Sequence, residues 1–277
     1  MLQGVIIIPS VYSRQYFLES CDGFELWEVS FGRQLPPRLA YSLKIADLKK
    51  GEKVLDFGCG RGEMVIQAAM KGCDTIGIDY LSEAITLAKE ASKKNKIRAK
   101  ILLVKDGKLP FTSEVFDCVF FLDVAEHLTD DQLITVFKEI RRVLRPDGRL
   151  IIHTSPNKDW IEKGYRFYTR YANFLASKLI WEPFFKTRLS YQENPRTMME
   201  KKVHINEQTT QDLRKNLAEA GFIKINLWLD STFRITGKGF WFQYTFLQPL
   251  WLPFLGKYFA SDIWWWFIRR IPDSCLW

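Results

Sequence analysis

The chain has 277 residues, 47% of them hydrophobic and 26% charged, which suits one sizeable α/β domain with additions or two small domains. Its net charge of +8 leaves nucleic acid, anionic lipid and an acidic substrate open as partners. Five cysteines without a CxxC pair argue against a disulfide framework and a zinc site, so we expect a reduced, cytosolic compartment. We also expect no signal peptide and no transmembrane helix, because no uncharged apolar stretch of about 18 residues occurs.

From about residue 34 to residue 155, short apolar runs alternate with helical patterns. In chain order, the predicted elements are strand Lys53–Phe57, helix Glu63–Lys71, strand Asp74–Asp79, helix Ser82–Asn95, strand Lys100–Val104, strand Val115–Leu122, helix Asp130–Leu144, strand Arg149–Thr154, helix Thr209–Ala220 and strand Phe222–Leu229. Apolar strands spaced by helices are typical of parallel sheets that are covered on both faces. The predicted fold class is therefore α/β, with a Rossmann-like, doubly wound and mostly parallel sheet.

Two regions depart from this alternation. Residues 158–202 hold ten Lys or Arg against five Asp or Glu together with many aromatics, and the last 38 residues contain fourteen aromatics. We therefore predict an N-terminal segment (1–34), a Rossmann-like core (35–155), a helical insert (156–203), the end of the core sheet (204–239) and an aromatic C-terminal extension (240–277).

A glycine-rich loop follows the first predicted strand, in the sequence VLDFGCGRGEM of Val54–Met64. Gly58, Gly60 and Gly62 let the backbone turn sharply and approach a ligand closely. A dinucleotide site uses G-x-G-x-x-G against pyrophosphate, whereas Asp56 here leads a D-x-G-x-G-x-G pattern. S-adenosylmethionine has no phosphate and carries an ammonium and a sulfonium group, whose charge Asp56 can offset. The loop predicts a site for this cofactor; the alternative is a tight turn without a ligand.

Acidic residues also follow the next two predicted strands. Asp79 closes the second strand, 23 residues after Asp56 and beside Tyr80, where its carboxylate can accept hydrogen bonds from both ribose hydroxyls. Asp106 and Gly107 follow the third strand, where Asp106 can accept a hydrogen bond from the adenine amino group. The alternatives are a helix cap for Asp79 and a solvated turn for Asp106.

The order of these motifs resembles the class I methyltransferase superfamily across roughly residues 35–230, and within it the O-methyltransferases of ubiquinone biosynthesis. The resemblance rests on the glycine loop, GID, DGKLPF, FDCVFFLDVAEHL, LRPDGRLIIHTSPN and a late AGF before a strand. It implies that Arg38 lies near the cofactor carboxylate and that Leu122 lines the adenosine. Asp123, Glu126 and His127 resemble a family Glu-x-x-Glu-His cluster that is linked to a divalent metal, although the first acid here is Asp.

The cluster Asp123, Glu126 and His127 is predicted to line the acceptor site, because it follows the fourth strand at the sheet edge where ligands bind. His127 can take a proton from a hydroxyl acceptor, with Glu126 as a second catalytic residue. Alternatively, the three side chains hold Mg²⁺, or they form a helix-start cluster. His204 is expected either to line the acceptor pocket or to be structural, and His153 is expected to be a core histidine.

The insert and the extension interleave aromatic and basic residues, a composition that suits a membrane–water interface. The run Ile263–Arg270 of the extension has this composition, and the insert offers Tyr165, Arg166, Phe167, Tyr168, Arg170 and Tyr171. The alternatives are a lid over the site, a contact between copies, and stacking on single-stranded RNA. The oligomeric state stays open.

We therefore expect a methyltransferase that acts on a small, apolar or lipid-like acceptor, such as a quinone precursor, by O-methylation. The expected location is the cytoplasm, peripherally at the inner face of a membrane. The alternatives are an RNA methyltransferase, although nucleic acid is the less favoured partner, and a cofactor-binding protein without catalysis.

Overall fold

A computed structural model describes residues 11–105, 108–230 and 262–266. The strands are β1 (Lys53–Phe57), β2 (Asp74–Asp79), β3 (Lys100–Leu103), β4 (Phe116–Leu122), β5 (Leu144–Thr154), β6 (Asn226–Asp230) and β7 (Asp262–Trp266). The α-helices are α1 (Phe24–Ser30), α2 (Pro37–Ala46), α3 (Glu63–Met70), α4 (Ser82–Lys94), α5 (Asp130–Val143), α6 (Arg170–Ala176), α7 (Glu200–Val203) and α8 (Thr210–Glu219). Wider, π-helical segments span Tyr16–Ser20, Trp160–Thr169 and Ser177–Phe185, and a 3₁₀ turn spans Ala125–His127.

The seven strands form one sheet in the order β3-β2-β1-β4-β5-β7-β6. Strands β1 to β5 pair in parallel, whereas β7 is antiparallel to both β5 and β6. The predicted doubly wound, mostly parallel sheet is confirmed. Residues 262–266, which lie within the predicted C-terminal extension, form a strand of this sheet, and the rest of residues 240–277 lies outside the described residues.

Alternate residues of the central strands face opposite sides of the sheet, as the two-residue period of a strand requires. Leu55 and Phe121 belong to the core layer that packs against α5 and α8. Their neighbours Val54 and Phe120 belong to the layer that packs against α2 and α3. All four are completely buried, so both faces of the central strands are covered and the strands read as continuous apolar runs.

Local sequence sets the start of two helices, and pairing with a neighbouring strand sets the start of one strand. Thr129 caps α5 and Thr209 caps α8, each by a reciprocal capping box. The predicted strand from Arg149 begins earlier, at Leu144, because Leu144 pairs with Phe116 before the register shifts. The predicted strand Phe222–Leu229 is observed as β6, which begins at Asn226 and ends at Asp230. Among the described residues, no helix is both long enough and apolar enough to cross a bilayer.

Candidate active site

The polar residues singled out in the sequence lie along the edge of the sheet where the parallel strands end. The glycine loop follows β1, Asp79 ends β2, and Leu122 ends β4. Leu122 is buried and pairs in register with His153 of the neighbouring strand β5. Ligands of open α/β sheets bind at this carboxyl edge, so the topology brings the predicted cofactor and acceptor residues to one place.

The glycine loop folds back against the end of β2. The amide of Gly58 donates to the carbonyl of Ile78 at 2.9 Å, and the amide of Gly60 donates to the Asp79 carboxylate at 3.0 Å. Gly58 has a φ of +76°, and an added Cβ would lie 2.6 Å from Cγ2 of Val124. A Cβ on Gly60 would meet no atom within 4 Å. The loop therefore requires glycine at position 58 and leaves open space beside position 60.

Two buried carboxyl groups flank this loop. Burial, together with Glu63 and Asp79, raises the pKa of Asp56 to about 8. Burial also raises the pKa of Asp79 to about 6, although the amides of Leu81 and Gly60 oppose the shift by donating to its carboxylate. No Lys or Arg among the described residues forms an ion pair with Asp56. A cation placed beside Asp56 would therefore favour the ionised form of this carboxyl group.

Arg38 lies in the first turn of α2 and points toward the same edge. Its Nη2 lies 3.1 Å from the Asp123 carboxylate, and its Nε lies 3.5 Å from the Asp22 carboxylate. Its Nη1 is buried and has no hydrogen-bond partner among the described residues. An unsatisfied buried donor is costly, so Arg38 keeps one donor available for an acceptor group such as a carboxylate.

Arg61 of the glycine loop anchors the N-terminal segment, a connection that the sequence analysis missed. Its guanidinium is buried, pairs with Glu63 at 2.7 Å, and donates to the carbonyls of Phe17 and Asp22 at 2.9 Å each. In return, the indole of Trp27 donates to the Arg61 carbonyl at 3.1 Å. Residues 17–27 are thereby bound directly to the loop that is predicted to hold the cofactor. One indication of this contact was present in the sequence. Arg61 lies among glycines in a loop whose turns require no side chain, so an arginine there indicates a contact elsewhere.

Asp123 follows β4 with a φ of 55°, and its carboxylate contacts an arginine and a histidine. Its carboxylate contacts Nδ1 of His153 and Nη2 of Arg38. Although burial raises its pKa, Arg38 and His153 together bring the pKa of Asp123 below its ordinary value. His153 is buried, as the sequence predicted. Asp123 is therefore an anion held between Arg38 and His153.

Glu126, His127 and His204 form a separate cluster, with one ligand atom of each within 4.8 Å of the others. The structure thus groups His204 with Glu126 and His127, whereas the sequence analysis grouped Asp123 with them. Glu126 is buried, accepts a hydrogen bond from Thr154 at 2.7 Å, and its backbone carbonyl accepts one from Ile205 at 3.0 Å. Burial, and secondarily Asp123, raise the pKa of Glu126 well above its ordinary value.

The ring of His127 is held in one orientation. Its Nδ1 lies 3.0 Å from the Val203 carbonyl and 3.1 Å from the Tyr12 hydroxyl oxygen. A carbonyl can only accept, so Nδ1 carries the proton and Nε2 carries the lone pair. Burial lowers the pKa of His127, and burial with the neighbouring His127 ring lowers the pKa of His204 to about 4. Both rings are therefore neutral bases near neutral pH.

The remaining predicted cofactor residues are Asp106, Gly107 and Tyr80. Asp106 and Gly107 lie outside the described residues, so the predicted adenine contact stays a prediction. Tyr80 is 36% exposed and directly follows Asp79. S-adenosylmethionine fits the described part of the site. The open space beside the glycine loop can take its apolar part. The buried acid Asp56 can take its cationic part, and the unsatisfied Nη1 of Arg38 can take its carboxylate.

Comparison with known proteins agrees with this geometry. A methyltransferase domain model matches residues 55–152, which contain the end of β1, the glycine loop, strands β2 to β4 and most of β5. A crystal structure of S-adenosylmethionine-dependent methyltransferases from Methanosarcina mazei has a TM-score of 0.55 at 20% identity. The similarity covers 86% of this chain and 100% of that one, and it supports the fold. Residues 55–152 thus match a methyltransferase domain, as the motifs predicted.

Two sequence relatives refine the resemblance. A ubiquinone biosynthesis O-methyltransferase from Haemophilus ducreyi is 33% identical over 124 residues, which is 43% of this chain and 52% of that protein. A demethylmenaquinone methyltransferase from Lactobacillus johnsonii is 33% identical over 156 residues, which is 53% of this chain and 62% of that protein. The chain thus spans about half the length of the curated relatives it matches.

Proposed function

We propose that this protein transfers the methyl group of S-adenosylmethionine to a hydroxyl group of a small, apolar, quinone- or lipid-like acceptor. The observation that carries the proposal is the pairing, on one sheet edge, of a glycine loop with buried acids and a cluster of neutral histidines. The names of the two relatives support a quinone-like acceptor, because both belong to quinone biosynthesis.

On the cofactor side, the chain's own residues bind and orient. S-adenosylmethionine supplies a methyl group on a good leaving group, so positioning accounts for most of the catalysis. We assign the ribose hydroxyls to Asp79, the ammonium to the region of Asp56, and the carboxylate to the free donor of Arg38. Gly58, Gly60 and Gly62 form the loop, and Tyr80 and Leu122 flank the adenosine.

On the acceptor side, the chain must remove a proton. His127 is assigned as the general base, because Val203 holds its Nδ1 proton and leaves Nε2 able to accept one. Glu126 is assigned to orient the acceptor hydroxyl, since Thr154 fixes its carboxyl group in the same cluster. A proton that reaches His127 would be stabilised by the nearby negative charge of Asp123.

A divalent cation is the second interpretation of the acceptor cluster. Glu126, His127 and His204 offer one oxygen and two nitrogen donors within reach of one another. Imidazole donors suit zinc, iron or nickel better than Mg²⁺, which prefers oxygen ligands. In this interpretation a bound cation would lower the pKa of the acceptor hydroxyl, and His127 would be a ligand and not a base.

The cofactor assignment is tested by calorimetry with S-adenosylhomocysteine. We expect Asp79→Ala to lose most of the binding, because the ribose hydroxyls lose their acceptor and the Gly60 amide loses its partner. Asp79→Asn, which keeps one acceptor oxygen, should lose less. The control is Asp74→Asn, at the exposed start of β2. Unchanged affinity of Asp79→Ala would refute the ribose role.

The acceptor assignment is tested by transfer of a radiolabelled methyl group to simple catechols and hydroquinones. We expect His127→Gln to lower kcat about 10²-fold or more while S-adenosylhomocysteine affinity is unchanged. A chelator distinguishes the two interpretations, since only the cation requires that activity be lost on chelation and restored by added metal. Methylation of RNA and of none of the phenols would overturn the proposal.

A further inference from the structure

Asp123 connects the ends of β4 and β5 to the arginine in the first turn of α2. Its backbone amide donates to the His153 carbonyl at 2.9 Å, which continues the pairing of the two strands by one residue. Its φ of 55° is a left-handed conformation that aspartate and asparagine adopt more readily than most residues. The backbone therefore holds position 123, and an asparagine there would keep the same conformation.

The carboxylate of Asp123 has a different partner on each oxygen. Its Oδ1 contacts Nδ1 of His153, and its Oδ2 lies 3.1 Å from Nη2 of Arg38. An ionised carboxylate only accepts hydrogen bonds, so Nδ1 of His153 carries a proton in this contact. His153 is buried within β5, and its ring therefore fixes the orientation in which the second oxygen meets Arg38.

The guanidinium group of Arg38 is held at two of its three nitrogens. Its Nη2 contacts Asp123, whose side chain is mostly covered at 28% exposure, and its Nε lies 3.5 Å from the Asp22 carboxylate. Asp22 is 71% exposed, so water screens its interaction with the arginine. Because the guanidinium is planar and rigid, these contacts fix the direction of the remaining nitrogen, Nη1.

The Nη1 atom of Arg38 is buried and has no hydrogen-bond partner among the described residues. A buried donor without an acceptor is costly, so a ligand that supplies an acceptor there is favoured. A carboxylate suits a guanidinium donor in charge and in geometry. The carboxylate is also the only anionic group of S-adenosylmethionine, so the proposed function places it at Nη1.

We propose that Asp123 and His153 are positioning residues for cofactor recognition, which hold the guanidinium of Arg38 so that Nη1 meets the carboxylate of S-adenosylmethionine. The inference rests on the proposed function for the assignment of that carboxylate to Arg38. Asp123 and His153 act through the arginine and do not need to touch the cofactor. Asp123, which the sequence grouped with the acceptor residues, thus acts on the cofactor side.

The test compares two ligands by calorimetry without an acceptor. They are S-adenosylmethionine and decarboxylated S-adenosylmethionine, which differ only in the carboxylate. The wild type should prefer the complete cofactor about tenfold or more, because charge-assisted hydrogen bonds to Arg38 need that group. Arg38→Met should lose this preference. The readout is the ratio of the two affinities, since damage to the fold weakens the binding of both ligands.

Asp123→Asn should reduce the preference about fivefold or more. An asparagine has one acceptor oxygen for two donors, Nδ1 of His153 and Nη2 of Arg38, so one of the contacts is lost. The double variant Arg38→Met, Asp123→Asn should show the same ratio as Arg38→Met alone, because Asp123 acts through the arginine.

Two comparisons separate positioning from general charge. His153→Leu should reduce the preference, whereas His153→Asn, whose amide nitrogen can take the place of Nδ1, should retain more of it. Asp22→Asn removes the exposed carboxylate beside the same guanidinium and should leave the preference unchanged.

The proposal is overturned by an Asp123→Asn variant with the wild-type preference. It is also overturned if Asp22→Asn loses as much preference as Asp123→Asn, because net charge near Arg38 would then act and not the covered contact. A wild type without any preference, or an Arg38→Met variant that keeps it, would refute the carboxylate assignment together with this inference. A wild type that binds neither ligand would refute the proposed function itself.

Discussion

The buried carboxyl group of Asp56 makes the stability of the ligand-free protein depend on pH. Asp56 is 4% exposed, and burial with Glu63 and Asp79 raises its pKa to about 8. In the unfolded chain the carboxyl ionises near its ordinary pKa of about 4. The folded state therefore retains a proton that the unfolded state has released. Its contribution to stability is full below about pH 4 and is lost as the pH rises through about 8.

The size of the loss follows from the two pKa values. One pKa unit corresponds to about 1.4 kcal/mol. Between about pH 5 and pH 8 the unfolded carboxyl is ionised and the folded one is still largely protonated, so about 4 kcal/mol of unfolding free energy disappears. An asparagine side chain does not ionise, so the Asp56→Asn variant does not lose this part of the unfolding free energy. Asp79, whose pKa is raised to about 6, contributes with the same sign at lower pH and is present in both proteins.

Urea unfolding of the ligand-free protein at pH 5 and pH 8 measures this difference. From the lower to the higher pH, the wild type should lose about 4 kcal/mol more unfolding free energy than Asp56→Asn. Asp74→Asn, at the exposed start of β2, should retain the wild-type dependence. Equal losses in the wild type and Asp56→Asn would refute the reasoning, because Asp56 would then not carry a proton in the folded state.

Three further outcomes follow from single contacts. Gly58→Ala should lower stability by about 1–3 kcal/mol in thermal unfolding, because a left-handed φ and a contact of 2.6 Å oppose the new methyl group. Gly51→Ala has a similar φ without a neighbour within 4 Å, so a loss as large there would contradict the steric argument. Arg61→Met should increase amide exchange in residues 17–27 about tenfold or more, and unchanged exchange would show that Arg61 does not anchor that segment. Nitrogen-15 NMR of the three-histidine protein should show His127 with its proton on Nδ1, and a proton on Nε2 would remove it as a general base.

The sequence predicted the first two strands correctly because their signals are local. The strand bounds Lys53–Phe57 and Asp74–Asp79 were predicted as the structure has them, since each is an apolar run bordered by turns. Strand β7 was not predicted, because it pairs with β5 and β6 across more than thirty intervening residues. An aromatic run such as Ile263–Trp266 is equally typical of a buried strand and of a membrane interface.

The acceptor half was predicted only in part because its pairings are not local. His127 and Glu126 were recognised from their position after β4. His204 lies beside them because it follows α7, far along the chain. Asp123 contacts His153 instead, because β4 and β5 are neighbouring strands and place the two residues side by side. The chain has three histidines: His127 and His204 contact each other, whereas His153 contacts Asp123.

The charged and titratable groups along the sheet edge suggest different roles in cofactor binding and in methyl transfer. In the proposed function, the cofactor side holds Asp56 and Asp79, whose ionisation destabilises the folded protein when no cation is near. The acceptor side holds neutral His127, which is ready to gain a proton. The proposed methyl transfer would remove the sulfonium charge from the first side and release a proton on the second. Substitutions of the acids should therefore change cofactor affinity, whereas substitution of His127 should change the rate of transfer at constant affinity.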